Sequence, residues 1–237
     1  MRRLVAYFVI GLSVLLGGGS LVAFAVFLYA GSFGLKFPGL SHSGTLCLDA
    51  GLSMLFFVQH SGMVRRPFRQ RLARFVPEEF DAAVYAIASG VALAVPLVFW
   101  QEGTPVLTAP GIFRLLFRIL FWLSLFGFMW GGLSLKSFDP LGVRPVLAYL
   151  RGIKPSNMPF TARGAYLVVR HPLYLFSILM IWSSPDLTTD RRLFNIIWTV
   201  WIVVGARLEE RDLITEFGDT YREYQRKVPM FIPRRIR

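Results

Sequence analysis

Cysteine and histidine are both scarce in this chain of 237 residues. Cys47 is the only cysteine, so the chain can form no internal disulfide and has no cysteine cluster that would bind a metal. The three histidines are His42, His60 and His171, and no two of them have the four-residue spacing of a helical ligand pair. A haem or metal protein with paired histidines is therefore a weak alternative, and we expect no metal site.

Acidic residues are also few, with 14 Asp and Glu against 26 Lys and Arg, and the formal net charge is +12. The hydrophobic fraction is 54%, whereas soluble domains contain ~45–50% apolar residues even when glycine is counted. The composition therefore indicates an integral membrane protein. In such a protein, basic loops on one side of the membrane account for the positive charge, so we expect no nucleic-acid partner.

Long apolar runs dominate the chain and predict an all-α integral membrane protein with about five to six transmembrane helices. The runs cover residues 4–30, 45–64, 82–100, 112–135 and 172–208. The first run is too long for the apolar part of a signal peptide, ~7–15 residues, so we expect a retained span. The last run is interrupted by 183-SSPDLTTD-190, a turn-like cluster that divides it into arms at 172–184 and 191–208. The two arms predict a helical hairpin, with a re-entrant loop as the alternative.

Lysine and arginine are frequent in every second connection between these runs and scarce in the others. The basic segments are residues 1–3, 65–80, 136–171 and 207–237. This alternation predicts that both termini are cytoplasmic, and we expect a bacterial inner membrane. We expect a single integral membrane domain, with N-terminal transmembrane helices in residues 1–135. Residues 136–237 would then form a catalytic region with a cytoplasmic loop, the hairpin and a C-terminal helix on the cytoplasmic face.

A charged motif stands directly before the short apolar arm, in the stretch 163-RGAYLVVRHPLY-174. Pro172 suits the first turn of a helix, which puts His171 at the cap and Tyr174 over the same face three residues later. Free N–H groups at such a helix start favour an anion such as a carboxylate. Anchoring at the membrane surface explains Arg170 and Tyr174 as well, so these residues alone leave both roles open.

Two carboxylates, Glu209 and Glu210, follow the second apolar arm in 205-GARLEERDLITEFG-218. Carboxylates beside a membrane span are costly to bury and usually have partners. The alternative is a solvated helix end in which Arg207 and Glu210 form an ion pair of little energetic value.

Two tyrosines, Tyr221 and Tyr224, share a predicted helix face in the C-terminal stretch 217-FGDTYREYQRKVPMFIPRR-235. This stretch is either an amphipathic tail that lies on the membrane or a lid over a site at the membrane surface. The predicted topology brings the charged motif, the two carboxylates and the tyrosines to one cytoplasmic face.

The combination of RHPLY, a hairpin, EERDL and FGDTYREYQRKVPMFIP resembles the isoprenylcysteine carboxyl methyltransferase and phospholipid methyltransferase superfamily of integral membrane enzymes. Three further stretches are similar to the membrane-bound methanethiol S-methyltransferases, so that the resemblance covers most of the chain. They are 59-QHSGMVRRPF-68, 75-FVPEEFDAAVYAIASGVAL-93 and 138-FDPLGVRPVLAYLRG-152. The chain departs from that pattern at 81-DAAVY-85 and at Lys136 and Ser137, so the residues on the acceptor side differ from those of the family.

The resemblance implies S-adenosylmethionine as methyl donor and a small apolar thiol, entering from the membrane lipid, as acceptor. Glu209 and Glu210 would then accept hydrogen bonds from the ammonium or the ribose hydroxyls of the methyl donor. Arg170, together with N–H groups after His171, would bind the carboxylate of the donor. Tyr174, Tyr221 and Tyr224 would offer ring faces to the adenine or the sulfonium.

A thiol acceptor also needs help to lose its proton. His171 and His60 are the candidate bases, because histidine titrates near neutral pH. Other acceptors remain open, namely a prenylated cysteine carboxylate or a lipid amine. A non-enzymatic membrane protein related to nitrogen-oxide reduction is a further alternative.

Overall fold

A computed structural model describes residues 2–135, 138–153 and 160–233 of the chain as a mainly helical protein with two short strands. The α-helices are α1 (Arg2–Leu12), α2 (Gly19–Ala30), α3 (His42–Val64), α4 (Arg66–Leu72), α5 (Glu78–Phe99), α6 (Gly111–Ser134), α7 (Val143–Leu150), α8 (Pro172–Ile181), α9 (Thr189–Phe217) and α10 (Asp219–Lys227). The predicted helical membrane class is thereby confirmed in its coarse form. Lys136, Ser137, Lys154 and the arginines beyond residue 233, which entered the sequence argument, lie outside the described residues.

Three stretches among the described residues are long and apolar enough to cross a membrane. They are Arg3–Ala30, Glu78–Phe99 and Gly111–Ser134, and they correspond to the first, third and fourth predicted runs. Helix α3 occupies the second predicted run but is not one of the three, and α8 is shorter than a full span. The total of five to six transmembrane helices therefore stays a prediction.

The chain divides into two compact units, and the first contains the described parts of Met1–Gly103 and Asp139–Asn157. Helix α5 is at its centre and packs against α2, α3 and α7. A π-helical segment, Ser13–Gly18, joins α1 to α2 within the first predicted run. The Ser13 hydroxyl donates to the carbonyl of Leu141 and so ties this segment to the turn before α7.

The second unit contains the described parts of Thr104–Phe138 and Met158–Arg237, and it is built on the packing of α6 against α8. Gly127 in α6 makes this close approach possible, because a Cβ atom there would overlap the ring of Phe176 in α8. Gly131, one helical turn further, lies against Leu173 of α8. Two small residues four apart form the kind of stripe that lets membrane helices approach closely.

A two-stranded antiparallel sheet lies at the turn between α8 and α9. Its strands are β1 (Pro105–Thr108) and β2 (Asp186–Thr188). The sequence predicted a turn at 183–190 and no strands, because pairing between two segments this far apart leaves no local pattern. Arg114 donates from both terminal nitrogens to the carboxylate of Asp186 and ties the sheet to α6.

The predicted hairpin is present, since α8 and α9 pack against each other and Trp182 Nε1 donates to Thr199 Oγ1 at 2.9 Å. Its arms differ from the predicted bounds. Helix α8 ends at Ile181, and α9 continues without a break to Phe217 instead of ending at 208. The two carboxylates therefore lie within a continuous helix rather than beyond its end.

Candidate active site

A cavity of about 520 Å³ lies within the second unit, between the start of α8, the second half of α9 and α10. Six of the eight residues that the sequence singled out line this cavity. They are Arg170, His171, Tyr174, Glu209, Tyr221 and Tyr224. Its volume is within the ~300–1,000 Å³ that small-molecule sites typically have. The remaining two, Glu210 and His60, are not among its described lining residues.

His171 occupies the N-cap of α8, as Pro172 in the first turn predicted, and its side chain is buried. Its ring stacks on that of Tyr174, with centroids 5.4 Å apart. Nε2 lies 3.1 Å from Oε1 of Glu210, and Nδ1 lies 3.9 Å from Oε2 of Glu209. Burial lowers the pKa of His171 below its ordinary value of 6.5, against the two glutamates, which raise it, while Arg170 adds to the lowering. The neutral ring donates Nε2–H to Glu210 and leaves the lone pair on Nδ1.

Arg170 lines the cavity, but its Nε and Nη1 groups are bound to Glu210 and to the C-terminal segment of the chain. Its Nε donates to Oε1 of Glu210 at 2.6 Å, and Nη1 donates to the carbonyls of Gln225 and Val228 at 3.0 and 2.6 Å. Its backbone N–H donates to the carbonyl of Pro229 at 2.8 Å. Arg170 therefore fixes the segment after α10 in place.

The adjacent carboxylates Glu209 and Glu210 have opposite environments. Glu210 is 12% exposed and accepts from Arg170, from His171 and, through Oε2, from Gln225 Nε2 at 2.9 Å. Burial raises the pKa of Glu210, but the interactions with Arg170 and His171 together outweigh burial and hold the pKa below its ordinary value. The alternative of an Arg207–Glu210 pair is wrong, because Glu210 pairs with Arg170.

Glu209, in contrast, is 47% exposed and lines the cavity. Its nearest described polar partner, Nδ1 of His171, is at 3.9 Å, which is longer than a hydrogen bond. Glu209 thus presents a carboxylate that a molecule in the cavity can reach.

An aromatic cluster forms the side of the cavity nearest to α10. Tyr221 and Tyr224 share a face of α10, as their spacing predicted, with ring centroids 5.7 Å apart. Phe160 lies against both rings, at 5.4 and 5.1 Å, and against Phe217 at 5.4 Å. The Tyr224 hydroxyl donates to the carbonyl of Tyr166 at 2.6 Å, and burial raises the pKa of Tyr224 to about 12. The tyrosines are therefore neutral and support one another.

His60 belongs to the first unit and is not at a helix end, because α3 continues to Val64. Its ring nitrogen Nε2 lies 2.8 Å from the Tyr85 hydroxyl of α5, and its ring contacts Phe56 at 5.0 Å. The role of His60 as a base stays a prediction.

Several lining residues were not assigned a role from the sequence, although some lie in the quoted motif. These are Phe160, Arg163, Tyr166, Leu213 and Phe217. Arg163 and Tyr166 precede RHPLY by a few residues, and an arginine before a short apolar helix looks like one more basic anchor. Among the described residues, no group of three or more His, Cys, Asp or Glu is placed to hold a metal.

The apolar helices place this chain among the integral membrane proteins, and its cavity is lined by charged and aromatic side chains. Curated relatives give the particular family. The chain is 36% identical to the methanethiol S-methyltransferase of Pseudomonas sp. (strain GM41(2012)) over 205 residues, which is 84% of this chain and 77% of that protein. It is 37% identical to methanethiol S-methyltransferase 2 of Bradyrhizobium diazoefficiens, over 77% of this chain and 71% of that protein.

The chain therefore belongs to the methanethiol S-methyltransferase family. A more distant relative is Nurim of Xenopus laevis, 25% identical over 70% of this chain and 61% of that protein. No protein-family model and no solved structure matches the chain.

Proposed function

We propose that this chain is an S-adenosylmethionine-dependent membrane methyltransferase that converts a small thiol, with methanethiol as the leading acceptor, into its methyl sulfide. The observation that carries the proposal is the identity of 34–37% to methanethiol S-methyltransferases of several bacteria over most of the chain. The residues of the cavity support it, because the donor is a zwitterion with a sulfonium and an aromatic base, and the cavity offers both charges and aromatic rings.

The chemistry fits the residues at the cavity. When bound, the donor supplies a methyl group that its sulfonium already activates for displacement. The protein then needs to hold acceptor and donor in line, and positioning of this kind supplies ~7–11 kcal/mol. In a pocket with little water the sulfur nucleophile also loses its hydration shell, which makes it more reactive.

His171 is the group that takes the thiol proton in this proposal. Its Nε2–H is donated to Glu210, so the lone pair of Nδ1 is the basic position. A thiol has a pKa near ~8.5 or higher, and a neutral imidazole within reach of the S–H accepts its proton as sulfur attacks. The bond between sulfur and the methyl carbon forms while the bond from that carbon to the donor sulfur breaks, and the proton leaves through His171.

We further propose that both termini are cytoplasmic and that the membrane is the bacterial inner membrane. The alternation of basic segments supports this orientation. The charged donor would then reach the cavity from the cytoplasm, while an apolar acceptor enters from the lipid.

The test is headspace detection of dimethyl sulfide from purified protein, S-adenosylmethionine and methanethiol, with the His171→Gln variant beside the wild type. We expect dimethyl sulfide from the wild type and a rate at least tenfold lower from the variant at neutral pH. Methylation of a prenylated cysteine or a lipid amine in the same panel, with no dimethyl sulfide, would reassign the acceptor. Absence of every methylated product, together with no donor binding in calorimetry, would refute the enzymatic proposal.

A further inference from the structure

The charged side chains at the cavity differ in whether they already have a partner of opposite charge within the protein. Arg170 is 12% exposed and is held by Glu210 and by two carbonyls of the C-terminal segment. Glu210 in turn accepts from three side chains and does not line the cavity. The two side chains neutralise each other, and the Nε and Nη1 donors of Arg170 are already bound within the protein.

Arg163 is the other arginine that lines the cavity, and its situation is different. Its side chain is exposed and makes no hydrogen bond or ion pair with any residue that the structure describes. Its guanidinium therefore keeps its full set of donors, in a planar arrangement that matches a carboxylate.

The backbone at Arg163 is nevertheless fixed. A 3-10 turn, Gly164–Leu167, follows directly, and Tyr166 N donates to the carbonyl of Arg163 at 3.0 Å. Gly164 has a φ of +53°, and a Cβ atom there would overlap Ser134 of α6. Ser134 also accepts from Ala165 N at 3.1 Å. The tight contact with α6 therefore holds Arg163 at the cavity although its side chain is exposed.

We propose that Arg163 and Glu209, rather than Arg170 and Glu210, bind the two charges of the amino-acid end of the methyl donor. Arg163 takes the carboxylate and Glu209 takes the ammonium. This inference rests on the proposed function, since it concerns the same donor. It replaces the sequence-based assignment of the donor carboxylate to Arg170 and makes Arg170 a positioning residue for the C-terminal segment.

The experiment compares two ligands that differ in one group. S-adenosylmethionine and its decarboxylated form share the sulfonium, the ammonium and the adenosine, and only the first has a carboxylate. Their affinities are measured by isothermal titration, without acceptor, for the wild type and for Arg163→Ala, Arg163→Lys and Arg192→Ala. Arg192 is an exposed arginine near the start of α9 and does not line the cavity, so it controls for loss of surface charge.

We expect Arg163→Ala to bind S-adenosylmethionine tenfold or more weakly and to bind the decarboxylated form as the wild type does, because a hydrogen-bonded charge is lost only for the first ligand. Arg163→Lys should fall between the two, and Arg192→Ala should match the wild type. Glu209→Gln should weaken both ligands, while 5′-methylthioadenosine, which lacks the amino-acid end, should be unaffected by either change.

Two results would overturn this inference and leave the proposed function intact. One is an Arg163→Ala protein that binds S-adenosylmethionine as tightly as the wild type. The other is an equal loss for the two ligands, which would make Arg163 a structural residue. A wild type that binds none of the three adenosine compounds would instead refute the proposed function itself.

Discussion

Replacing Glu210 by glutamine should destabilise the folded protein more than any other single change of charge at the cavity. The substitution keeps the shape of the side chain and removes the negative charge. It leaves the guanidinium of Arg170, which is 12% exposed, without its ion-pair partner at 2.6 Å. An uncompensated buried charge is the costly outcome when a buried pair is broken from one side.

The magnitude follows from the burial of the pair. Breaking a buried ion pair costs ~3–5 kcal/mol, and because both side chains retain some exposure we take the lower end, about 3 kcal/mol. The amide of the variant also puts an N–H₂ group where a carboxylate oxygen accepted, so that a donor now faces another donor. Since a change of 1 kcal/mol moves Tm by roughly 2–4 °C in chains of this size, we expect a decrease of about 6–12 °C.

The assay is thermal unfolding in detergent, followed by tryptophan fluorescence at a fixed scan rate. Glu209→Gln is the matched control, because Glu209 directly precedes Glu210 and makes no hydrogen bond with the described part of the chain. Its Tm should stay within about 2 °C of the wild type, as for other exposed substitutions. The two substitutions should thus have different effects: Glu210→Gln should lower stability, and Glu209→Gln should lower the affinity for the donor.

A double-mutant cycle with Arg170→Gln isolates the pair itself. The Arg170→Gln and Glu210→Gln double variant should be less destabilised than the sum of the single variants, by about 1–3 kcal/mol, because no unpaired charge remains. Additive effects, or a Glu210→Gln protein that melts with the wild type, would contradict the role of Glu210 as the internal partner of Arg170.

Three further predictions concern other contacts. Because burial lowers the pKa of His171 below 6.5 in the folded state, the unfolded chain binds the proton first as pH falls. The free energy of unfolding should therefore decrease as pH falls from 6.5 toward the lower folded pKa. The free energy of unfolding of His171→Gln, measured over the same pH range, should lack this decrease. Gly127→Ala should lower the free energy of unfolding by about 1–3 kcal/mol, because the added methyl group overlaps a ring of α8. Gly205 has open space around it, so Gly205→Ala should be neutral or stabilising by less than about 1 kcal/mol in the same melting assay. Tyr224→Phe removes the hydrogen bond to the carbonyl of Tyr166 and should lower the free energy of unfolding by about 1 kcal/mol, and an unchanged midpoint would show that water replaces the hydroxyl.

Hydrophobic pattern and local rules made much of the fold predictable. The apolar runs identified the three spanning helices to within a few residues, because a span requires a minimum length of apolar sequence. Pro172 predicted the start of α8 and the cap at His171, since proline is tolerated in the first helical turn. The three-residue spacings of His171 with Tyr174 and of Tyr221 with Tyr224 predicted that each pair shares a helix face, and the rings of each pair lie in contact in the structure.

Features that depend on the partner of a residue were not predictable in this way. The end of α9 at Phe217 was missed because the apolar arm stops at residue 208. The polar residues beyond it continue the helix as far as Gly218, whose positive φ of +55° ends it. The short sheet was missed because its strands come from segments about eighty residues apart and have no pattern of their own.

The sequence by itself determined the membrane class, the family and the residue types gathered at the site, since composition, length of apolar runs and motif spacing are local properties. The tertiary structure alone decided which charged side chains are paired within the protein. Arg170 and Glu210 pair with each other and hold the C-terminal segment, whereas Arg163 and Glu209 line the cavity without a hydrogen bond to a described side chain. The reason is that a buried charge is costly without a partner, and only folding determines which side chain becomes that partner.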